Sequence, residues 1–143
     1  MPYEYLEDGV TSDVTFRAWG RDLDELFAAA ADATTNVMVG ALESIRPAAT
    51  TPVSVDADAL DLLLLRFLEE IIFHKDAEGV IMRARAVHVE PANHGHRVRA
   101  EFCGEPIDPA RHELLADVKA VTLEGLSVEP AASGWRAQVT LDV

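Results

Sequence analysis

The sequence is poor in cysteine, in basic side chains and in long apolar runs. Its single cysteine, Cys103, excludes an internal disulfide framework and is typical of a reducing compartment. It has no run of about 18 apolar residues that would indicate a transmembrane helix. Residues 1–4 (MPYE) are acidic and lack the basic and apolar regions of a signal peptide. These absences predict a cytoplasmic protein without membrane contact.

Charge is strongly one-sided. Twelve Lys and Arg side chains face 25 Asp and Glu side chains, so the formal net charge is 12 − 25 = −13. Such a surface repels the phosphate backbone of nucleic acids, and we expect no direct nucleic-acid binding. A basic protein or a cation is the partner that this charge favours.

Length and periodicity predict one α+β domain over residues 1–143. The chain is 49% hydrophobic, enough for a sizeable core. Helical periodicity marks residues 23–39, capped by Asp22 and ended by Gly40, and residues 57–74, capped by Asp56 or Asp58. The second helix is apolar nearly all round, so we expect it to be largely buried.

Alternation of apolar and polar residues predicts the strands. They are residues 3–6, 11–19, 51–55, 80–90, 97–103, 118–122, 126–129 and 135–143, with 104–112 as a loop. Strands 80–90 and 97–103 form an antiparallel hairpin. The predicted fold class is a single-domain α+β sandwich of mixed or antiparallel sheet strands with two main α-helices.

Two aspartates stand out by their place in the strand pattern. In residues 135–143 the alternation turns Asp142 outward, beside the carboxylate of Val143, and in residues 11–19 it turns Asp13 outward. If the two strands are close, these groups form an all-oxygen cluster that suits a hard cation such as Ca²⁺ or Mg²⁺. The alternative is that both aspartates are ordinary solvated charges.

Lys119 lies in a predicted strand and fits two interpretations. It is a counter-charge for the acids or a contact for a partner phosphate, or it protects a sheet edge. Glu70 and His74, one helical turn apart, predict a hydrogen bond rather than a zinc site, because no third ligand is evident.

The remaining candidates form no catalytic set. His94 and His96 flank a turn glycine, His112 lies in the predicted loop, and Cys103 has no neighbour that would favour a thiolate. Phosphate-binding glycine loops, nucleophile elbows and C-x-x-C motifs are absent. The residues themselves therefore give no signal for an enzyme.

The order of several segments closely resembles the archease family. At the start these are residues 3–6 (YEYL), 11–14 (TSDV) and 18–27 (AWGRDLDELF). Further on, residues 104–113 (GEPIDPARHE), 118–122 (VKAVT) and 141–143 (LDV) continue the resemblance over essentially the full chain. The segment 104–113 with its downstream VKAVT is the most specific part.

The resemblance implies an accessory protein with a chaperone-like role, not an autonomous enzyme. Archeases assist the RtcB-type RNA ligase, which uses GTP and manganese in tRNA splicing and RNA repair, by promoting guanylylation of the ligase and hence multiple turnover. Family members bind a divalent cation, typically calcium, with magnesium or manganese as alternatives. The family's metal ligands match Asp13, Asp142 and Val143, and its functional lysine matches Lys119.

Two departures from the family pattern bear on the metal. Many archeases have histidines where this chain, which looks like a bacterial-type variant, carries Val10 and Glu124, and the extra acids Glu7 and Asp8 are candidates to compensate. Two other functions stay open. A general protein chaperone or modulator would need an exposed apolar patch, and a metal-dependent hydrolase would need an open pocket and a base.

Overall fold

A computed structural model describes residues 2–6 and 13–143 of the chain. The beginning of the predicted strand 11–19 and the residues Glu7, Asp8 and Val10 lie outside this part. The elements in chain order are β1 (Tyr3–Leu6), β2 (Asp13–Gly20), α1 (Leu23–Met38), a short 3-10 helix (Leu42–Ser44), β3 (Ala49–Ala57), α2 (Leu60–Glu78), β4 (Val80–Pro91), β5 (His96–Pro106), β6 (Ala120–Ala131) and β7 (Gly134–Asp142).

The strands form two antiparallel sheets. One has the order β1-β2-β7-β6 and the other the order β3-β5-β4. Each helix contacts strands of both sheets, so the helices and the inner sheet faces share one core. The predicted α+β sandwich is confirmed. Its largest fully buried side chains are Phe16, Phe27, Phe67, Phe102, Leu26, Leu63, Leu64, Leu68, Ile71, Ile81 and Leu141.

Helix α1 begins as predicted and ends differently. The Asp22 side chain accepts a hydrogen bond from the Glu25 backbone N–H at 2.9 Å, which caps the first turn. At the other end Gly40 does not adopt the left-handed conformation. Instead Val39 turns extended and forms a β-bridge with Leu114. The helix thus ends one residue before the predicted end, at an extended Val39 held by a tertiary contact rather than at a left-handed Gly40.

Helix α2 begins and ends later than predicted. Its N-cap residue is Ala59, without a side-chain cap hydrogen bond, because β3 continues through Asp56, whose carboxylate binds Arg97. The helix continues to Glu78 and ends at Gly79, whose φ of +66° is left-handed. One face of the helix is buried, whereas α1, rich in small alanines, has buried residues on more of its circumference.

The sheet strands are longer than the alternation alone predicted. Strand β5 continues to Pro106, which pairs with Val80, so the first part of the predicted loop 104–112 is sheet. The two short strands predicted at 118–122 and 126–129 are one strand, β6, with an irregularity in its middle. Lys119 lies immediately before β6 rather than inside it. Within residues 2–6 and 13–143, neither helix is long and apolar enough to cross a membrane.

Candidate functional site

Asp13 and Asp142 are register partners on neighbouring strands. Asp13 at the start of β2 pairs with Asp142 at the end of β7, and Asp142 pairs in turn with Ala120 of β6. Directly paired residues point to the same face of a sheet, with Cβ atoms about 5 Å apart. The structure thus brings together the two aspartates whose side chains the strand alternation predicted to point outward. We call them the acid pair. Its role in cation binding stays a prediction.

Packing of the opposite face fixes this arrangement. Phe16 pairs with Val139, both fully buried, and Val14 pairs with the fully buried Leu141. A shift of the strand register by one residue would point these apolar side chains toward water and the aspartates toward the core. The register that brings the acid pair together is therefore enforced by the hydrophobic core.

The rows next to the acid pair are uncharged. Thr15 and Thr140 share a hydroxyl hydrogen bond of 2.9 Å, and the Thr122 hydroxyl donates to the Thr140 carbonyl at 3.2 Å. The next basic group on this face of β2 is Arg17, whose Nε donates to Gln138, about 13 Å along the strand from Asp13. No basic side chain from these neighbouring residue pairs lies beside the two carboxylates.

The acid pair lacks the basic partners that some other acids of the fold have. Asp32 is matched by Arg83 at 3.1 Å, and Glu129 is matched by Arg136 at 2.8 Å. Across the described residues, neither Asp13 nor Asp142 forms an ion pair. Both are half-buried, so their mutual repulsion is only partly screened by water.

Lys119 is placed beside the acid pair by its backbone. Its N–H donates to the carbonyl of Asp142 at 2.8 Å, and its side chain is exposed. The other lysine of the chain, Lys75, is held by Asp76 and by Asp117 at 2.6 Å. No salt bridge to Lys119 occurs in residues 2–6 and 13–143, so its ammonium group is available to a partner. Its position before edge strand β6 also keeps the edge-protection interpretation open.

The chemistry of the acid pair fits part of a cation site. Carboxylate oxygens are the donors that Ca²⁺ prefers, and Val143, which follows Asp142, is the predicted third ligand. In the part of the chain that the structure describes, no group of three or more His, Cys, Asp or Glu side chains is placed to hold a metal. A cation here would take its remaining oxygens from water or from a partner.

The specific segment 104–113 builds a buried ionic cluster that the sequence did not reveal. Glu105 accepts hydrogen bonds from the backbone N–H of Arg46 at 2.7 Å, from His112 at 3.0 Å and from Arg111. The Arg111 guanidinium and the Arg46 N–H lower the pKa of Glu105 to about 2. The Asp108 N–H donates to His112 Nδ1 at 2.9 Å, and the other ring nitrogen, Nε2, lies 3.0 Å from Glu105. The motif is structural, because these bonds lock the chain between β5 and β6.

The other candidates are placed apart from the acid pair. His74 binds Glu78, in the following turn, and the predicted bond with Glu70 was wrong, because α2 extends one turn further than expected. His96 lies at the start of β5, at the far end of the second sheet. Cys103 is buried, with Arg85 Nε donating to its sulfur at 3.0 Å.

Comparison with known sequences matches residues 3–143 to the Archease protein family. Among curated relatives, protein archease of Thermococcus kodakarensis is 34% identical over 134 residues, covering 93% of this chain and 94% of that protein. Protein archease of Methanopyrus kandleri is 32% identical over 143 residues, which is the full length of both.

Two solved structures share the fold. The solution structure of Methanobacterium thermoautotrophicum protein 1598 superposes with a TM-score of 0.84 at 29% identity, covering 99% of each chain. A crystal structure of an archease from Thermotoga maritima, described as a possible chaperone, superposes with a TM-score of 0.61 and covers 98% of this chain and 99% of that one. At 13% identity this second likeness concerns the fold alone.

Proposed function

The chain belongs to the archease family, and from that premise we propose that it is an accessory protein that activates an RtcB-type RNA ligase. It would promote guanylylation of the ligase's active-site histidine and thereby multiple turnover in tRNA splicing or RNA repair. The observation that carries this proposal is the acid pair, two carboxylates held in register without an ion pair in the described residues.

Charge supports a protein partner with a basic surface. With a net charge of −13, the chain is attracted to the basic groups that line a nucleotide-binding or RNA-binding cleft. The acid pair is presented at the end of a rigid sheet, where it would meet those groups during the guanylylation step. A divalent cation held by Asp13, Asp142 and Val143 would cancel their repulsion and supply positive charge at the same place.

Lys119 completes the proposed contact surface. Because its backbone is bonded to Asp142, its exposed ammonium group is delivered to the same end of the sheet as the acid pair. An ammonium group there suits a phosphate oxygen or a carboxylate of the ligase–nucleotide complex. The surface therefore offers one cationic and two anionic groups at fixed positions.

The test is a guanylylation assay of the cognate ligase with sub-stoichiometric accessory protein. We expect the natural chain to sustain multiple turnover and Asp13→Asn to lose most of that effect, while ligation by pre-guanylylated ligase is unchanged. The matched control is Asp58→Asn, which removes the same charge from an exposed residue in the connection between β3 and α2. Unchanged turnover with Asp13→Asn, or equal losses in both variants, would contradict the proposal.

A general chaperone role is the second candidate, and exposed apolar side chains favour it. Leu114 and Leu115 are 46% and 59% exposed and line a groove of about 240 Å³ with Met38 and Ile107. Under this alternative, protection of an unfolded client from aggregation would depend on Leu115 and would be unaffected by Asp13→Asn.

A further inference from the structure

Edge strand β6 has a pronounced bulge in its middle. Its pairing with β7 jumps between Thr122 and Ser127, so that four residues of β6, 123–126, face the single residue Val139. The three extra residues leave the ladder, and Gly125 takes a left-handed φ of +66° that suits the sharp turn. A short projection results on an otherwise regular sheet edge.

The bulge moves a leucine out of the core. Val121 faces inward, and in a regular strand Leu123 would follow it to the same face, opposite Val139. Instead Leu126 takes that inward place and is partly buried, while Leu123 is 69% exposed. Among the large apolar side chains of the described residues this is the highest exposure. Leu123 therefore contributes little to the hydrophobic core.

The projection begins close to the acid pair. Ala120, the partner of Asp142, lies three residues before Leu123, about 10 Å along the strand. The neighbouring Glu124 is exposed, and the exposed Lys119 precedes the strand. An apolar tip with charged groups around it has the arrangement of a protein interface, in which an apolar centre is surrounded by a polar rim.

We propose that Leu123 is the apolar anchor through which this chain docks onto its partner ligase. It would enter an apolar recess rimmed by basic side chains, since the acids around it and the net charge of −13 favour a positive rim. This inference rests on the proposed function and adds to it the element that provides affinity. The acid pair would then act in the docked complex, a few residues away on the same sheet.

The test compares Leu123→Ser with Leu62→Ser, an exposed leucine in the first turn of α2. Binding to immobilised ligase at physiological salt should weaken about five- to thirty-fold in Leu123→Ser, as expected for the loss of most of one leucine contact. Leu62→Ser should bind like the natural chain, and Leu123→Met should restore most of the affinity. At saturating concentration Leu123→Ser should still stimulate guanylylation fully, because its acid pair is intact.

The outcomes separate the two proposals. If the natural chain stimulates the ligase and Leu123→Ser binds equally well, the anchor is refuted and the accessory role stands. If the natural chain neither binds nor stimulates, both fail. Sedimentation of the protein alone supplies a further check: a dimer that dissociates on Leu123→Ser substitution would assign the leucine to a second copy of this chain and overturn the docking proposal.

Discussion

Replacing one member of the acid pair should stabilise the protein when no divalent cation is present. Two unit charges 5 Å apart repel by about 0.8 kcal/mol in water and by about 3 kcal/mol at an effective dielectric constant near 20. Asp13 and Asp142 are half-buried, so we use a repulsion of about 1 kcal/mol between their carboxylates. In a chain of this size Asp13→Asn should then raise the unfolding temperature by about 3 °C in the presence of EDTA.

Calcium should reverse the order of stability of the natural chain and the Asp13→Asn variant. A cation at one hundred times its dissociation constant stabilises the folded state by about 2.7 kcal/mol. The natural chain should gain this increment and Asp13→Asn should not, so the variant becomes the less stable protein in saturating CaCl₂. In 1 M NaCl, where the screening length is about 3 Å, the advantage of the variant in EDTA should shrink.

Differential scanning calorimetry in EDTA and in CaCl₂ measures both effects. Asp58→Asn serves as the control for loss of a negative charge at an exposed position, and it should respond to calcium like the natural chain. The reasoning is refuted if calcium shifts the natural chain and Asp13→Asn equally. It is also refuted if Asp13→Asn is the less stable protein in EDTA, because the two carboxylates would then not repel each other.

Two further predictions concern the packing around β5. The pKa of Glu105 in the folded state, about 2, lies below its ordinary value of 4.5, so its contribution to stability is present above pH 4.5 and is lost as the pH falls toward 2. The free energy of unfolding, measured by urea titration, should therefore change less between pH 7 and pH 3 in Glu105→Gln than in the natural chain. Gly104→Ala would place a Cβ 1.9 Å from the Ile81 carbonyl oxygen, and it should cost about 1–3 kcal/mol in the free energy of unfolding with an unchanged urea m-value.

Local signals predicted well wherever neighbours in sequence decide the structure. The cap at Asp22 and the first turn of α1 depend on residues within four positions of each other, and the sequence located both. The end of α1 depends on Leu114, far along the chain, and the start of α2 depends on pairing between β3 and β5. The start of α2 lies three residues later than predicted, because the strand pairing outweighs a weak helix propensity, whereas the end of α1 lies one residue from the predicted end.

The ionic cluster of Glu105, Arg111 and His112 illustrates the same limit for side chains. Its sequence motif was visible as a family signature, but nothing local indicates that Glu105 turns inward to meet Arg46 from a distant loop. Likewise the bulge at Leu123 follows from a register shift against β7, and the alternation of β6 read alone predicted two separate strands.

By itself the sequence determined that Asp13 and Asp142 face away from the core, because side-chain direction alternates along any half-buried strand. It also determined the net charge of −13, on which the proposal of a basic partner rests. Only the tertiary structure decided that the two aspartates are register partners on adjacent strands. That pairing joins opposite ends of the chain, and it is enforced by core side chains such as Phe16 and Leu141 rather than by the aspartates themselves.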